Sequence, residues 1–138
     1  MKVIICGSKD IQNYGNKIKQ AIDFANYLIP KEKIDKIVCI DHYVEKWAKN
    51  HDYKTKFFET PWLDISPPDA IIIEKDGRKI NLRAPQIRDN LVITYSDSII
   101  CIYKRQVVNG EWVDDEYMDN IIKKMKELKK KVVVMEIE

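Results

Sequence analysis

Apolar and polar positions along the chain switch repeatedly between a strand-like and a helix-like period, and that alternation predicts an α/β domain. Residues 2–6 form a continuous apolar run that stops at Gly7-Ser8, the pattern of a strand buried on both faces of a sheet. Over residues 14–29, Ile18, Ala21, Ile22, Ala25 and Leu28 recur at three-and-four spacing and define one helical face, which Pro30 ends. A second short strand is predicted over 36–40. Asp41 then stands as the N-cap of a helix over 42–50 that carries Val44, Trp47 and Ala48 on one face. A third strand is predicted over 54–58, and a loop over 60–69, which holds three of the five prolines.

Two apolar runs, 70–74 and 78–82, flank Lys75-Asp76-Gly77 and predict an inserted β-hairpin near residues 70–82, because glycine tolerates the positive φ of a tight turn. A helix over 85–95 follows, with Pro85 in its first turn and Ile87, Leu91, Val92 and Tyr95 at helical spacing. Residues 98–103 read as a fourth buried strand and 104–112 as a loop. Asp114, Asp115 and Glu116 are acids at a helix start, where the macrodipole favours them, and Tyr117, Ile121, Met125 and Leu128 line the face behind them. Residues 132–137 close the sheet. Right-handed crossovers turn this string into a Rossmann-like three-layer sandwich, one domain over 1–138. Its five-stranded, mainly parallel sheet is expected in the order 3-2-1-4-5, with helices on both faces. Strands one and four are then neighbours whose crossovers leave in opposite directions, so their carboxyl ends frame the crevice where open α/β sheets take ligands.

Composition narrows the classes. At 138 residues, 45% hydrophobic and 33% charged, the chain fits one soluble domain and excludes disorder and collagen-like repetition. No apolar run approaches the roughly 20 residues of a membrane span, and the run after Met1 is too short for a signal peptide, so a cytoplasmic protein without membrane partners is expected. Cys6, Cys39 and Cys101 lie in or at the ends of apolar runs and read as buried thiols rather than metal ligands or disulfides. With 24 basic and 22 acidic residues the net charge is +2, which gives no global attraction to nucleic acid. The lysines at 123, 124, 126 and 129–131 read as the solvated face of a helix. No metal or cofactor is expected.

Few residues carry candidate chemistry. Gly7, Ser8 and Lys9 can offer backbone N–H groups, a hydroxyl and an ammonium to a phosphate, although Gly7 serves equally as a turn and Lys9 as a solvated cation. Arg88, Asp89 and Asn90 bring a fixed cation, a carboxylate and a carboxamide to the first turns of one helix. Arg88 suits a phosphate or carboxylate and its neighbours suit sugar hydroxyls or a base; an exposed helix start with ordinary charge pairing fits the same residues. Trp62 can stack on a base or cover the sheet edge. His42 and His51 have no serine, cysteine and acid arrangement about them.

These residues in this order resemble the SLOG superfamily, Rossmann-like proteins related to Smf/DprA and LOG proteins, and above all its small YspA-type branch. Met1-Lys2-Val3-Ile4-Ile5-Cys6-Gly7-Ser8-Lys9-Asp10 is similar to the opening of that branch, with Lys9 where an Arg is usual. Trp47-Ala48-Lys49, Phe57-Phe58 and Pro61-Trp62 resemble its second helix, third strand and Trp-bearing loop. Ala84-Pro85-Gln86-Ile87-Arg88-Asp89-Asn90 resembles its Gly-Pro-x-Arg-Asn motif, and Tyr95-Ser96-Asp97-Ser98-Ile99-Ile100 its entry to strand four. Two loops depart from the family. Val38-Cys39-Ile40-Asp41 keeps only the terminal Asp of the glycine-rich loop after strand two, and Val107-Val108-Asn109-Gly110-Glu111-Trp112 stands where a glycine-threonine loop is usual. The resemblance implies a nucleotide-type ligand at the ends of strands one and four, held by Gly7, Ser8, Lys9, Asp41, Trp62, Arg88, Asp89 and Asn90 in a degenerate site. One alternative is an N-glycosidase or phosphoribohydrolase on a nucleoside monophosphate, with Asp41, Asp89 or Glu116 as the acid. Another is an interaction module of a phage or mobile-element kind that forms a homodimer through the hairpin.

Overall fold

The computed structural model of the chain describes residues 1–8 and 16–137, so the candidate Lys9 lies outside the described residues. Strand β1 (Lys2–Gly7) is followed by α1 (Lys17–Ala25), β2 (Lys36–Cys39), α2 (His42–Asn50) and β3 (Thr55–Phe57). A hairpin, β4 (Ile72–Lys75) and β5 (Arg78–Asn81), precedes α3 (Ala84–Tyr95) and β6 (Ser98–Lys104). A second hairpin, β7 (Gln106–Val108) and β8 (Glu111–Val113), precedes α4 (Glu116–Glu127) and β9 (Lys131–Ile137).

Five strands form one sheet in the order β3-β2-β1-β6-β9, and all four pairings are parallel. The expected order 3-2-1-4-5 becomes this one because the two hairpins contribute four strands that stay outside the sheet. Successive strand residues point to opposite faces. Val3, Ile5, Ile37, Cys39, Ile100 and Ile102 therefore pack with α1 and α2, while Ile4, Cys6, Val38, Ile99 and Cys101 pack with α3 and α4. Both clusters are almost fully buried, and each large aliphatic side chain in them contributes about 1.5–3 kcal/mol by leaving water. This mixed α/β arrangement is compatible with a Rossmann-like fold. No helix among the described residues is long and apolar enough to cross a membrane.

Three expectations are corrected. Residues 104–112 are not a loop but lead into the second hairpin, whose Asn109 and Gly110 adopt φ of 52° and 80°. An Asn-Gly pair between Val108 and Glu111 makes the primed turn whose twist matches paired strands. In the first hairpin Lys75 belongs to β4 opposite Arg78, which leaves Asp76 and Gly77 as a two-residue turn at φ of 53° and 76°. Leu91 is exposed, because the inward face of α3 carries Ala84, Asp89, Val92 and Ile93, and at 3.6 residues per turn Leu91 falls to one side of it.

Candidate functional site

A crossover in a parallel sheet returns to the amino end, so the helix that precedes or follows a strand runs antiparallel to it. The first turns of α3 and α4 are thereby brought to the carboxyl ends of β1 and β6, and their residues meet there. Asp89 is 8% exposed, and its Oδ1 accepts from Arg88 Nε at 3.1 Å, Arg88 Nη2 at 3.0 Å and Tyr117 Oη at 2.9 Å. Arg88 Nη2 also donates to Tyr117 Oη at 2.8 Å, and Nη1 donates to Thr60 Oγ1 at 2.9 Å. Adjacent helical positions do not normally face one another, so the long stem of Arg88 folds back over Asp89 to close this network. Charge-assisted bonds of this kind are stronger than neutral ones.

The network fixes protonation as well as position. Burial, and after it the negative charge of Asp89, pushes the Tyr117 phenol well above its ordinary range, partly offset by Arg88. Tyr117 is 41% exposed as a residue, yet its hydroxyl lies against Asp89 and Arg88 and remains a donor at any physiological pH. Cys6, at the end of β1, has its thiol raised by a hydrogen bond to Cys101, by burial, and then by the charges of Cys101, Asp89 and Asp115. Both carboxylates thus lie within electrostatic reach of the tip of β1. Asp115 caps α4 by accepting from Met118 N at 3.1 Å, and its own N–H donates to Tyr103 Oη at 2.9 Å.

The other candidate residues occupy distinct places. Ser8 is buried beside β6, where its N–H donates to Ile102 O at 2.9 Å and its Oγ accepts from Lys104 N at 2.9 Å. The hydroxyl expected to face a phosphate therefore locks β1 to β6, with Gly7 in register with Ile102. Asp41 caps α2, accepting from Tyr43 N at 2.7 Å and Val44 N at 3.2 Å. Asn90 turns toward α4, where Lys124 Nζ donates to its Oδ1 at 3.5 Å. Glu116 is exposed in the first turn of α4. His42 and His51 are exposed and stack on Phe57 and Trp47.

Two cavities border the Arg88 network. A groove of about 800 Å³ runs between the loop after β3 and the first hairpin, and Thr60, Trp62, Lys75 and Arg78 line it. A cleft of about 410 Å³ lies between α3 and α4, lined by Gln86, Asp89, Tyr117 and Lys124 among others. Thr60 belongs to the first and Asp89 and Tyr117 to the second, so the network stands between them. Asn81 organises the groove: it is fully buried, its Oδ1 accepts from Ile71 N and Arg83 N, its Nδ2 donates to Asp64 O, and its own N–H donates to Trp62 O.

The sequence points to Arg88 and Asp89 but not to Tyr117, Thr60 or Asn81. By spacing, Tyr117 counts with an apolar helical face and Thr60 with a proline-rich loop. Asn81 leaves only a weak signal, as a carboxamide between Ile80 and Leu82. Among the described residues, no group of three or more His, Cys, Asp or Glu side chains is placed to hold a metal ion. Comparison with known proteins finds no matching family model, curated protein or solved structure.

Proposed function

We propose that this chain is a small SLOG-like domain, a three-layer Rossmann-like sandwich that binds a nucleotide or nucleotide-derived ligand at the carboxyl ends of β1 and β6. One observation carries the reading: Arg88, Asp89, Tyr117 and Thr60, from three separate segments, converge in one hydrogen-bonded network between two cavities at that end of the sheet. Open α/β sheets take ligands at this place, and a group of mutually oriented polar side chains about a buried carboxylate is what a binding site needs. Arg88 then acts by holding Asp89, Tyr117 and the Thr60 loop in place rather than by gripping a phosphate with a free fork. Binding is favoured over glycoside hydrolysis because two of the acids weighed for that role are engaged. Asp41 caps a helix, and Asp89 faces Arg88 and an un-ionised phenol.

The test is a thermal-shift series with nucleoside monophosphates, dinucleotides and cyclic nucleotides. A ligand that binds the folded state raises Tm in proportion to the logarithm of its concentration. Arg88→Ala is expected to abolish that rise, and Tyr117→Phe, which keeps the ring and removes the bond to Asp89, to weaken it while the protein stays folded. A flat response across the series overturns the proposal.

A second reading rests on a different observation. Leu63, Ile65, Ile71, Ile72, Ile73 and Leu82 are all 36% exposed or more, and they crowd the first hairpin and the loop before it. Ile72 and Ile73 point to opposite faces of the hairpin, so both faces carry exposed apolar surface of the kind that marks association sites. If the hairpin joins two copies in a homodimer, Ile72→Lys turns the dimer into a monomer in sedimentation velocity; a wild-type monomer at high concentration excludes it.

A further inference from the structure

The chain has four arginines, and three of them face carboxylates: Arg83 with Asp69, Arg88 with Asp89, and Arg105 with Asp114 and Glu136. Arg78 has no such partner among the described residues. It also stands directly opposite Lys75 across the β4·β5 pair, so the two cations share one face of the hairpin. Like charges directly opposite each other in an antiparallel pair destabilise it. Here the arrangement is kept at the tip of a two-stranded hairpin that has no sheet beside it. Both side chains line the groove of about 800 Å³, and so does Trp62, whose residue is 43% exposed.

We infer that Lys75 and Arg78 form a two-cation clamp for the phosphate of a nucleoside monophosphate whose base stacks on Trp62. The inference rests on the nucleotide reading and adds to it the ligand class and the residues that hold its charged end. A phosphate placed between the two cations turns their repulsion into two attractions, and the guanidinium fork matches its oxygens. Trp62 supplies a flat apolar surface on which a base of any identity can stack. Glu59, which lines the same groove, offers an acceptor for sugar hydroxyls. Asn81 holds the two walls together, since it bonds to the carbonyls of Trp62 and Asp64 on one side and belongs to β5 on the other. The site is thus built on the hairpin and its facing loop, with Thr60 as its link to Arg88.

Isothermal titration of the full chain with AMP, GMP, CMP and UMP, the four matching nucleosides and inorganic phosphate tests the clamp. Lys75 and Arg78 are exposed hairpin residues, so Lys75→Gln/Arg78→Gln is expected to stay folded by circular dichroism. The expected result is that a monophosphate loses tenfold or more in affinity in the double variant, that its nucleoside keeps its weaker affinity, and that Trp62→Ala weakens both. Raising salt should weaken the monophosphate and leave the nucleoside unchanged. A monophosphate that binds the double variant as tightly as the wild type, and is lost in Tyr117→Phe, overturns the clamp and leaves the nucleotide reading intact. An equal loss for nucleoside and monophosphate in the double variant also overturns it, because the hairpin is then acting through its shape and not its charge. No binding by any monophosphate overturns the clamp and the reading beneath it.

Discussion

Ser98 opens β6 with its side chain fully buried, and its hydroxyl has no hydrogen-bond partner among the described residues. A buried polar group left unpaired costs free energy that an apolar replacement avoids. Ser98→Ala is therefore expected to leave stability unchanged or raise it by up to about 1 kcal/mol, measured by urea unfolding; a loss larger than that refutes the assignment. Cys39 bears on pH. Burial, followed by the charges of Glu45 and Asp41, pushes its thiol from 9.0 up to about 12. The unfolded chain then gives up this proton first, so stability is fully present below pH 9 and is lost as pH rises toward 12. At 1.36 kcal/mol per unit the loss reaches about 4 kcal/mol. Cys39→Ala should flatten the fall of Tm between pH 9 and 11, whatever it does to Tm at neutrality. An unchanged slope would show that this thiol is not the cause.

At the scale of elements, the first hairpin depends on one carboxamide. Asn81→Ala removes bonds to Ile71, Arg83 and Asp64 and leaves those part-buried backbone groups without their partner. It should cost about 2 kcal/mol and speed hydrogen exchange across residues 62–83, with α1 and α2 unaffected; uniform loosening would instead mean that Asn81 supports the whole fold. The contrast between the two hairpins shows how far the sequence could be read. Ala70 to Leu82 announces itself by two apolar runs about Asp76-Gly77. The flanks of Asn109-Gly110 are only three residues each, Gln106–Val108 and Glu111–Val113, and all six are exposed, so no buried face imposes a period on them. The turn chemistry was there to be read, and the strand pattern was not. Strands β1 and β6 are plain because both faces are covered and every side chain except Lys2 and Lys104 at their ends is apolar or small. The site was half legible. Arg88 and Asp89 sit side by side in the chain, whereas Tyr117 and Thr60 reach them across 28 or more residues, a distance that no local pattern encodes.

For the molecule as a whole, the polar network and the two cavities that border it lie toward the carboxyl end of the sheet, and the amino end holds backbone bonds such as Asp35 N and Lys36 N to Met1 O and a separate cavity of about 370 Å³ with none of the network residues in its lining. A bound nucleotide should therefore slow hydrogen exchange in the first turns of α3 and α4 and in the first hairpin, and leave residues 26–36 as they were. Protection spread evenly over the chain would point to global stabilisation without a located site. The burial of all three thiols, none more than 3% exposed and none in a disulfide, has a practical outcome. A maleimide dye or nitroxide will find no native cysteine to react with while the fold is intact. One cysteine introduced in place of exposed Lys79 would then be tagged alone, so motion of the hairpin can be followed by spin resonance in otherwise unmodified protein.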